Sequence, residues 1–496
     1  MNNNNNNNTI KTLLFLLSII SVNAQSWNQL SVNILGTGLV NLLGRSTAIS
    51  GDGSTAAIGA PKQNPSGEVQ VYHVTDTGYS QKGSPILGTI PGEDFGWSIS
   101  LSKDGNSIIV GAPDDSAGNN DGHAYVYQWN GNNWIDKGST LAGNTGDDQF
   151  GWDVDISSDG NTIAVSAPLS DQNAFNNGDV KIYSWSNNNW STTSSASLFG
   201  NEAFEEFGKS LALSEDGKTI VIGSPFDFGS YNTGLTRVYF LNGTQWQQQG
   251  EDLYGVSLTE HSGFSVDISN DGNRIAAGSF SSSEGLVRIF EWNGTNWDQL
   301  GEKIKGVANF DSFGYSLSLN GDGSIVAAGA PSNDANGSNS GHVKVFRLVG
   351  DTWTERGQDI EGDTSSDRIG TAVSLSDDGN KIIMGGAGNP NNGNFEGRAK
   401  LFLYEPTTAT NSINNEHSIR YGPNPTDSRL MIDLGQTFEE IQVEVQSITG
   451  QIISNQIFKN TAALNLDING NSGWYVLNIK LNSKTVKTIK IFKTDF

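Results

Sequence analysis

Apolar and polar residues alternate over short stretches throughout most of the chain, the period of a strand with one buried face. Phe95 to Ser102 reads FGWSISLS, and across an Asp-Gly pair it is followed by the nearly continuous apolar run IIVGAP, Ile108 to Pro113. Glycine supplies the positive φ that a two-residue hairpin turn needs, so the pair predicts a turn between two antiparallel strands. A polar loop then leads to a third strand, HAYVYQW (His123 to Trp129), and Asn130-Gly131 turns the chain into a fourth beginning at Trp134. The Asp-Gly pair recurs at residues 52, 104, 159, 216, 271, 322 and 378, at intervals of 51 to 57 residues. Four antiparallel strands repeated seven times predict an all-β fold, a seven-bladed β-propeller.

The ends of the repeat predict how the ring closes. Fourth strands run from an aromatic residue to a glycine, as in Trp134 to Gly143, Trp246 to Gly255 and Trp353 to Gly362. A further copy, Trp27 to Gly36, stands before the first blade, whereas the last blade stops at its third strand, Ala399 to Glu405. The N-terminal strand is therefore expected to complete blade seven, removing two sheet edges that would otherwise stay unpaired. Composition agrees: 60 glycines in 496 residues favour turns and penalise helices by about 1 kcal/mol per site.

Charge divides the chain. The formal net charge is −24, from 29 basic and 53 acidic side chains, and none of it resides beyond Thr407, where eight of each sign balance. Such acidity excludes a basic nucleic-acid surface and opposes anionic lipid. Cysteine is absent, so there are no disulfides, thiolate sites or thiol nucleophiles. Leu13 to Val22 is an apolar run of about ten residues, too short for a bilayer of about 30 Å, and ends in Val22-Asn23-Ala24. This predicts a secretory signal over residues 1–24, cut between Ala24 and Gln25, and no transmembrane segment in the mature chain. The polar stretch after Glu405 reads as a linker, residues 406–416, between a propeller at 25–405 and a separate domain at 417–496.

Phe-Gly followed by Gly-Ala-Pro, as in Phe95-Gly96 with Gly111-Ala112-Pro113 or Phe313-Gly314 with Gly329-Ala330-Pro331, resembles the FG-GAP repeats that build the propeller of integrin α subunits. Glycine at both motif positions suits strands near the axis, where blades converge. The resemblance implies calcium loops of the form D-x-[DN]-x-D-G-x-x-D. Here the last ligand position holds Ile108, Ile163, Ile220, Ile275 and Ile382, and the first is acidic only at Asp155 and Asp267. Two or three oxygens remain, below the six to eight that calcium takes. The turns are therefore read as structural, with no cofactor required, and any metal would fall to Asp155 with Asp159 and Asp267 with Asp271.

If strands A to D run from axis to rim, the A–B and C–D turns share one face and the B–C loops and D–A connections share the other. Long polar loops on a rigid frame are how binding surfaces are usually mounted. The B–C loops carry Asp114, Asp115, Asp227 and Asp334; the D–A connections carry Asp94, Asp148, Glu206, Asp311 and Asp367. Two readings of these acids stand: a solvated rim that keeps the protein soluble, or a ring that attracts cationic ligands or metal ions. His123 and His342 occupy one repeat position in separate blades and cannot share a site, and no nucleophile, zinc or phosphate motif is present. The pairs Trp129/Trp134, Trp185/Trp190 and Trp292/Trp297 straddle C–D turns and are expected to pack across strands. The expectation is a non-enzymatic module that binds a glycan, protein or matrix ligand on the loop face, as in adhesion. The alternative is a propeller hydrolase or lyase acting on extracellular polysaccharide.

The last domain alternates in strand fashion, with EIQVEVQSITGQIIS (Glu440 to Ser454) and GWYVLNIKL (Gly473 to Leu481), and a small β-sandwich fits. Its opening Tyr421-Gly422-Pro423-Asn424-Pro425, the central Gly450, Gly473-Trp474-Tyr475-Val476 and a lysine-rich last strand resemble the type A sorting domain of the type IX secretion system of Bacteroidetes. The family usually has Tyr-Pro-Asn-Pro and an acid before the central glycine, where this chain inserts Gly422 and places Ser447. The resemblance implies recognition by the secretion machinery and delivery to the outer-membrane surface of a Gram-negative bacterium or beyond it. Read without the resemblance, the domain would be an accessory binding module.

Overall fold

The computed structural model describes residues 26–36, 40–114, 121–144, 146–192, 197–226, 233–258, 260–280, 283–388, 396–405, 420–422, 429–447, 451–468, 471–481 and 484–494. Ala24, Gln25, Asp115, Asp227, Pro423, Asn424 and Pro425 lie outside them. The regular elements of the described residues are strands, and the chain divides into two compact units, 1–405 and 406–496.

The first unit is a ring of seven antiparallel sheets, each with strands in the order A-B-C-D. In blade two these are Ser98–Leu101, Ser107–Ala112, His123–Trp129 and Trp134–Asp136. Strand D resumes as Leu141–Ala142 on the same partner, so the outer strand is paired in two pieces. The seventh sheet takes strands A to C from Ile369–Leu375, Lys381–Gly386 and Arg398–Glu405, and its D strand from the other end of the chain. Ser26 pairs with Glu405 and Gln29 with Phe402, and Ile34–Leu35 supplies the second piece. Trp27 is 2% exposed, and the N-terminal strand covers the edge that strand C of blade seven would otherwise leave unpaired.

Neighbouring blades are joined at two radii. At the axis the two motif glycines belong to adjacent blades: a Cβ on Gly59 would lie 2.0 Å from the carbonyl oxygen of Gly96, and one on Gly111 would lie 2.1 Å from that of Gly151. Only a residue without a side chain lets these backbones meet. The serine two positions after the Phe-Gly glycine then donates to the next blade's motif carbonyl: Ser46 to Gly96, Ser98 to Gly151, Ser210 to Gly263, Ser265 to Gly314 and Ser316 to Gly370. Blade three departs at both places. Asp153 stands for the serine and Ser166 for the glycine, and the Ser166 hydroxyl accepts the Asp153 N–H instead. At the rim, the D-strand indole N–H of Trp134, Trp190, Trp297, Trp353 and Trp27 donates to a carbonyl in the preceding blade, at Lys82, Lys137, Gln249, Leu300 and Arg356. The paired tryptophans of the C–D turns do pack across strands, with ring centroids 5.0–5.4 Å apart.

In the second unit five strands form one continuous sheet. The long strand Arg429–Ser447 breaks register between Asp433 and Phe438. Apolar residues on both sides of that break, Leu430, Ile432 and Leu434 with Ile441, Val443 and Val445, share one buried core. The sheet thus folds over itself in the manner of a sandwich.

Candidate functional site

The Asp-Gly turns are closed systems. In each, the Asp carboxylate accepts a backbone N–H two residues on: Ser54, Asn106, Asn161, Lys218, Asn273, Ser324 and Asn380 for the seven copies in order. In six of them a serine two residues upstream also donates, as Ser102 does to Asp104 at 2.8 Å. Partial burial pushes these carboxyls up, but the hydrogen bonds outweigh it and hold all seven below the usual carboxylate range. Asp159 and Asp271 are thus bonded within their own turns, whereas Asp155 and Asp267 bond elsewhere. Asp155 accepts the N–H of Leu213 in the next blade and the hydroxyl of Ser100 in the previous one; Asp267 accepts the N–H of Leu319. Among the described residues no group of three or more His, Asp or Glu is placed to hold a metal.

Asp155 and Asp267 line the central channel, where the inner strand of each blade would otherwise present unpaired N–H groups. Asp153 does the same for Leu211, while the hydroxyls of Ser318 and Ser374 serve Leu375 and Ile49. The surrounding blades withdraw these carboxyls from bulk water although each has some surface on the lumen. Desolvation raises Asp153 and Asp267 to about 7, against the lowering effect of their backbone hydrogen bonds, and raises Asp155 too.

The loop face differs from the expectation of a solvated or ligand-facing acidic ring. Asp94, Asp148, Asp311 and Asp367 are buried, as are Glu93, Glu205 and Glu260 beside the same motif. The acid two positions before the Phe-Gly glycine's phenylalanine builds its own connection: Glu93 accepts the N–H groups of Thr89 and Ile90, Glu205 those of Asn201 and Glu202, Glu260 those of Val256 and Ser257, and Asp367 those of Asp363 and Thr364. Several are also paired with buried cations: Glu205 with Arg237, Glu260 with Arg288 at 3.4 Å and Asp367 with Arg398 at 2.9 Å. Asp311 accepts from Asn333 in the neighbouring B–C loop. Asp94 and Glu206 stand one position later, at φ of 57° and 48°, and pair with Lys62 at 2.6 Å and Lys209 at 3.0 Å. Asp334 is exposed and accepts the Asn339 N–H within its loop, and Asp114 is half-buried. Backbone N–H groups occupy Glu93, Glu205, Glu260, Asp334 and Asp367, and side-chain partners occupy Asp94, Glu206 and Asp311, so most of these carboxylates are already engaged within the fold.

What does face the channel mouth at the loop end is the residue after each motif glycine. Arg45, Trp97, Trp152, Lys209, Phe264, Tyr315 and Thr371, one from each blade, ring the loop-face mouth of a channel of about 500 Å³. Parallel bridges such as Gly67 to Phe95 and Gly122 to Phe150 put the B–C loops and the motif at this same end. The Arg45 guanidinium lies 3.9 Å over Trp97, Trp97 is 5.0 Å from Trp152, and the Lys209 ammonium lies 4.1 Å over Trp152. Phe264 and Tyr315, 5.0 Å apart, continue the wall. The sequence reading missed this ring, although its signal is present: the position after each motif glycine is aromatic or cationic in six of seven blades. Around the mouth the same face exposes Phe175, Phe204, Val256, Leu258, Val307 and Phe310, with Phe175 and Phe204 in an edge-to-face contact at 5.1 Å.

Among solved structures the chain is similar to a hydrazine synthase from Kuenenia stuttgartiensis, at 14% identity over 75% of this chain and 97% of the other, with a TM-score of 0.48. It is similar also to a putative 6-phosphogluconolactonase from Bacteroides uniformis, at 14% identity over 65% and 86% and a TM-score of 0.47. A third is the periplasmic gluconolactonase PpgL of Pseudomonas aeruginosa, at 12% identity over 65% and 85% and a TM-score of 0.45. No curated protein matches. Residues 90–127 and 305–346 match the FG-GAP repeat, and residues 421–493 match the secretion system C-terminal sorting domain. The ring thus carries FG-GAP repeats and the tail a type IX sorting domain, which indicates export to the cell surface or beyond it.

Proposed function

We propose that the propeller is an extracellular binding module of the adhesion type, holding a glycan, protein or matrix ligand at the loop-face mouth of its channel. The observation that carries this reading is the ring of Arg45, Trp97, Trp152, Lys209, Phe264 and Tyr315 around one end of the axis. Half-buried aromatic faces with cations beside them offer large contact area at little entropic cost, and aromatic residues and arginine dominate binding hot spots. At the turn-face end the channel narrows to a smaller space of about 160 Å³ where Lys103 pairs with Glu215 and Asp377, and the Asp-Gly turns there spend their polar groups on themselves. The exposed apolar residues around the mouth extend the surface outward.

A second reading, a propeller enzyme acting on polysaccharide, is favoured by one observation: Asp153 sits under the mouth with its carboxyl raised to about 7, where a general acid would need it. The test is to screen the mature protein against glycans, proteins and polysaccharides while assaying for released product. Binding without turnover is expected, and it should disappear when the B–C loops of blades two, three, four and six are replaced by short glycine-serine turns. Binding that survives the replacement and is lost on chelation would transfer the site to the turn face. Product release abolished by Asp153→Asn would establish the enzyme reading.

A further inference from the structure

Beside the channel mouth, between blades six, seven and one, lies a cavity of about 380 Å³ that shares Arg45, Trp97, Tyr315 and Thr371 with the channel. Ser312, Ser332 and Arg368 complete its polar wall. Its two charged side chains are both guanidinium groups, in a unit that carries the whole net charge of −24. Arg237, Arg274, Arg288 and Arg398 of this unit each pair with a carboxylate. Arg45 and Arg368 have no such partner among the described ion pairs, and Arg368 is exposed. Asp367, next to Arg368 in the chain, is taken by Arg398, and Asp311, near Ser312, by Asn333.

The walls suit a particular chemistry. The planar guanidinium fork matches a carboxylate with two parallel hydrogen bonds. The Tyr315 ring provides an apolar wall for the C–H side of a pyranose, Trp97 carries the Arg45 guanidinium on its face, and the Ser312 and Ser332 hydroxyls, 3.4 Å apart, can bond sugar hydroxyls. Resting on the reading of the loop face as a binding surface, we propose that this cavity takes an acidic saccharide, with the anionic group of a uronic acid residue held between Arg45 and Arg368. Asp153 and Asp94 act on Arg45 from a distance without forming an ion pair with it, and Asp94 is itself paired with Lys62.

The test uses the mature protein and a panel of oligosaccharides of galacturonate, glucuronate and mannuronate, each beside its carboxyl-reduced neutral counterpart and a sulfated neutral oligosaccharide, by titration calorimetry. At least one uronate should bind tenfold or more tightly than its reduced form, and Arg368→Ala, at an exposed position, should weaken that binding tenfold or more without altering the melting temperature. Arg368→Lys should recover only part of it. Preference for the sulfated probe would make the site a sulfate site and overturn the uronate assignment. Equal binding of a uronate and its reduced form, indifference to Arg368→Ala, or no binding by any uronate overturns the proposal. If a neutral glycan or a protein still binds and is lost with the loop replacement described above, the binding module survives and only its ligand class falls.

Discussion

Carboxylates crowd both faces of the ring, and they behave differently on each. On the turn face Asp216 is half in water, accepts from Ser214 and Lys218 of its own hairpin, and is held below its ordinary pKa. On the loop face of the same blade Glu205 is 1% exposed, ties down the N–H groups of Asn201 and Glu202, and pairs with the buried guanidinium of Arg237. One kind of acid closes a turn cheaply; the other organises a long connection by being taken out of water with its partners. The difference teaches that an acidic excess in composition need not become an acidic surface field. It also explains why the mouth is left to aromatic and cationic side chains.

The largest break in this contrast should come from Glu205→Ala. Removing one member of a buried pair leaves Arg237 with Asp252 alone and two backbone donors unsatisfied, which should cost about 3 kcal/mol or more in denaturant unfolding. A loss under about 1 kcal/mol would put Glu205 in the same class as the turn acids. A middle-sized effect should appear in pH dependence. Asp267 titrates at about 7 when folded and in the ordinary carboxylate range when unfolded, so the folded state binds its proton more tightly. Stability from this group is greatest below about pH 4 and is lost as pH rises through about 7, whereas the turn acids, with lowered values, lose theirs only as pH falls below about 4. Asp267→Ser, the residue that serves the same N–H in other blades, should therefore flatten the decline between about pH 4 and pH 8 by on the order of 2 kcal/mol. That is about half of the ~4 kcal/mol that a rise from 3.8 to about 7 represents, because the carboxyl keeps surface on the lumen that screens it. Equal slopes in the two proteins would mean that Asp267 is not withdrawn from water. The smallest effect belongs to the turn face: Asp216→Ala should cost about 1 kcal/mol, and its melting temperature should not respond to calcium or chelator differently from the parent.

Much of the architecture was legible because it is written in local chemistry. Asp-Gly pairs at a period near 55 residues mark hairpins whatever surrounds them, and a stray D-strand pattern at Trp27 with a missing one after Glu405 implies closure. The sorting tail was legible from Tyr421 and the strands around Gly473, although the residues Pro423 to Pro425 lie outside those described. The burial of Asp94, Asp148, Asp311 and Asp367 was not legible, because an acid in a polar loop looks the same whether it points to water or to its own backbone. The motif glycines were placed near the axis correctly, but that Gly59 faces Gly96 of another blade is a fact about assembly, not about either repeat.

By itself the sequence determined the period, the strand count, the turn positions, the missing outer strand and the two-part organisation. Each of these follows from residues within a few positions of one another, where backbone geometry and side-chain alternation suffice. Only the tertiary structure decided which acids are spent on backbone donors, that Asp153, Asp155 and Asp267 share one channel, and that seven residues about 55 apart meet around one mouth. Those outcomes depend on closing the ring, since only then do the inner strands face one another, the acids between them lose part of their hydration, and side chains from seven separate repeats converge on one mouth.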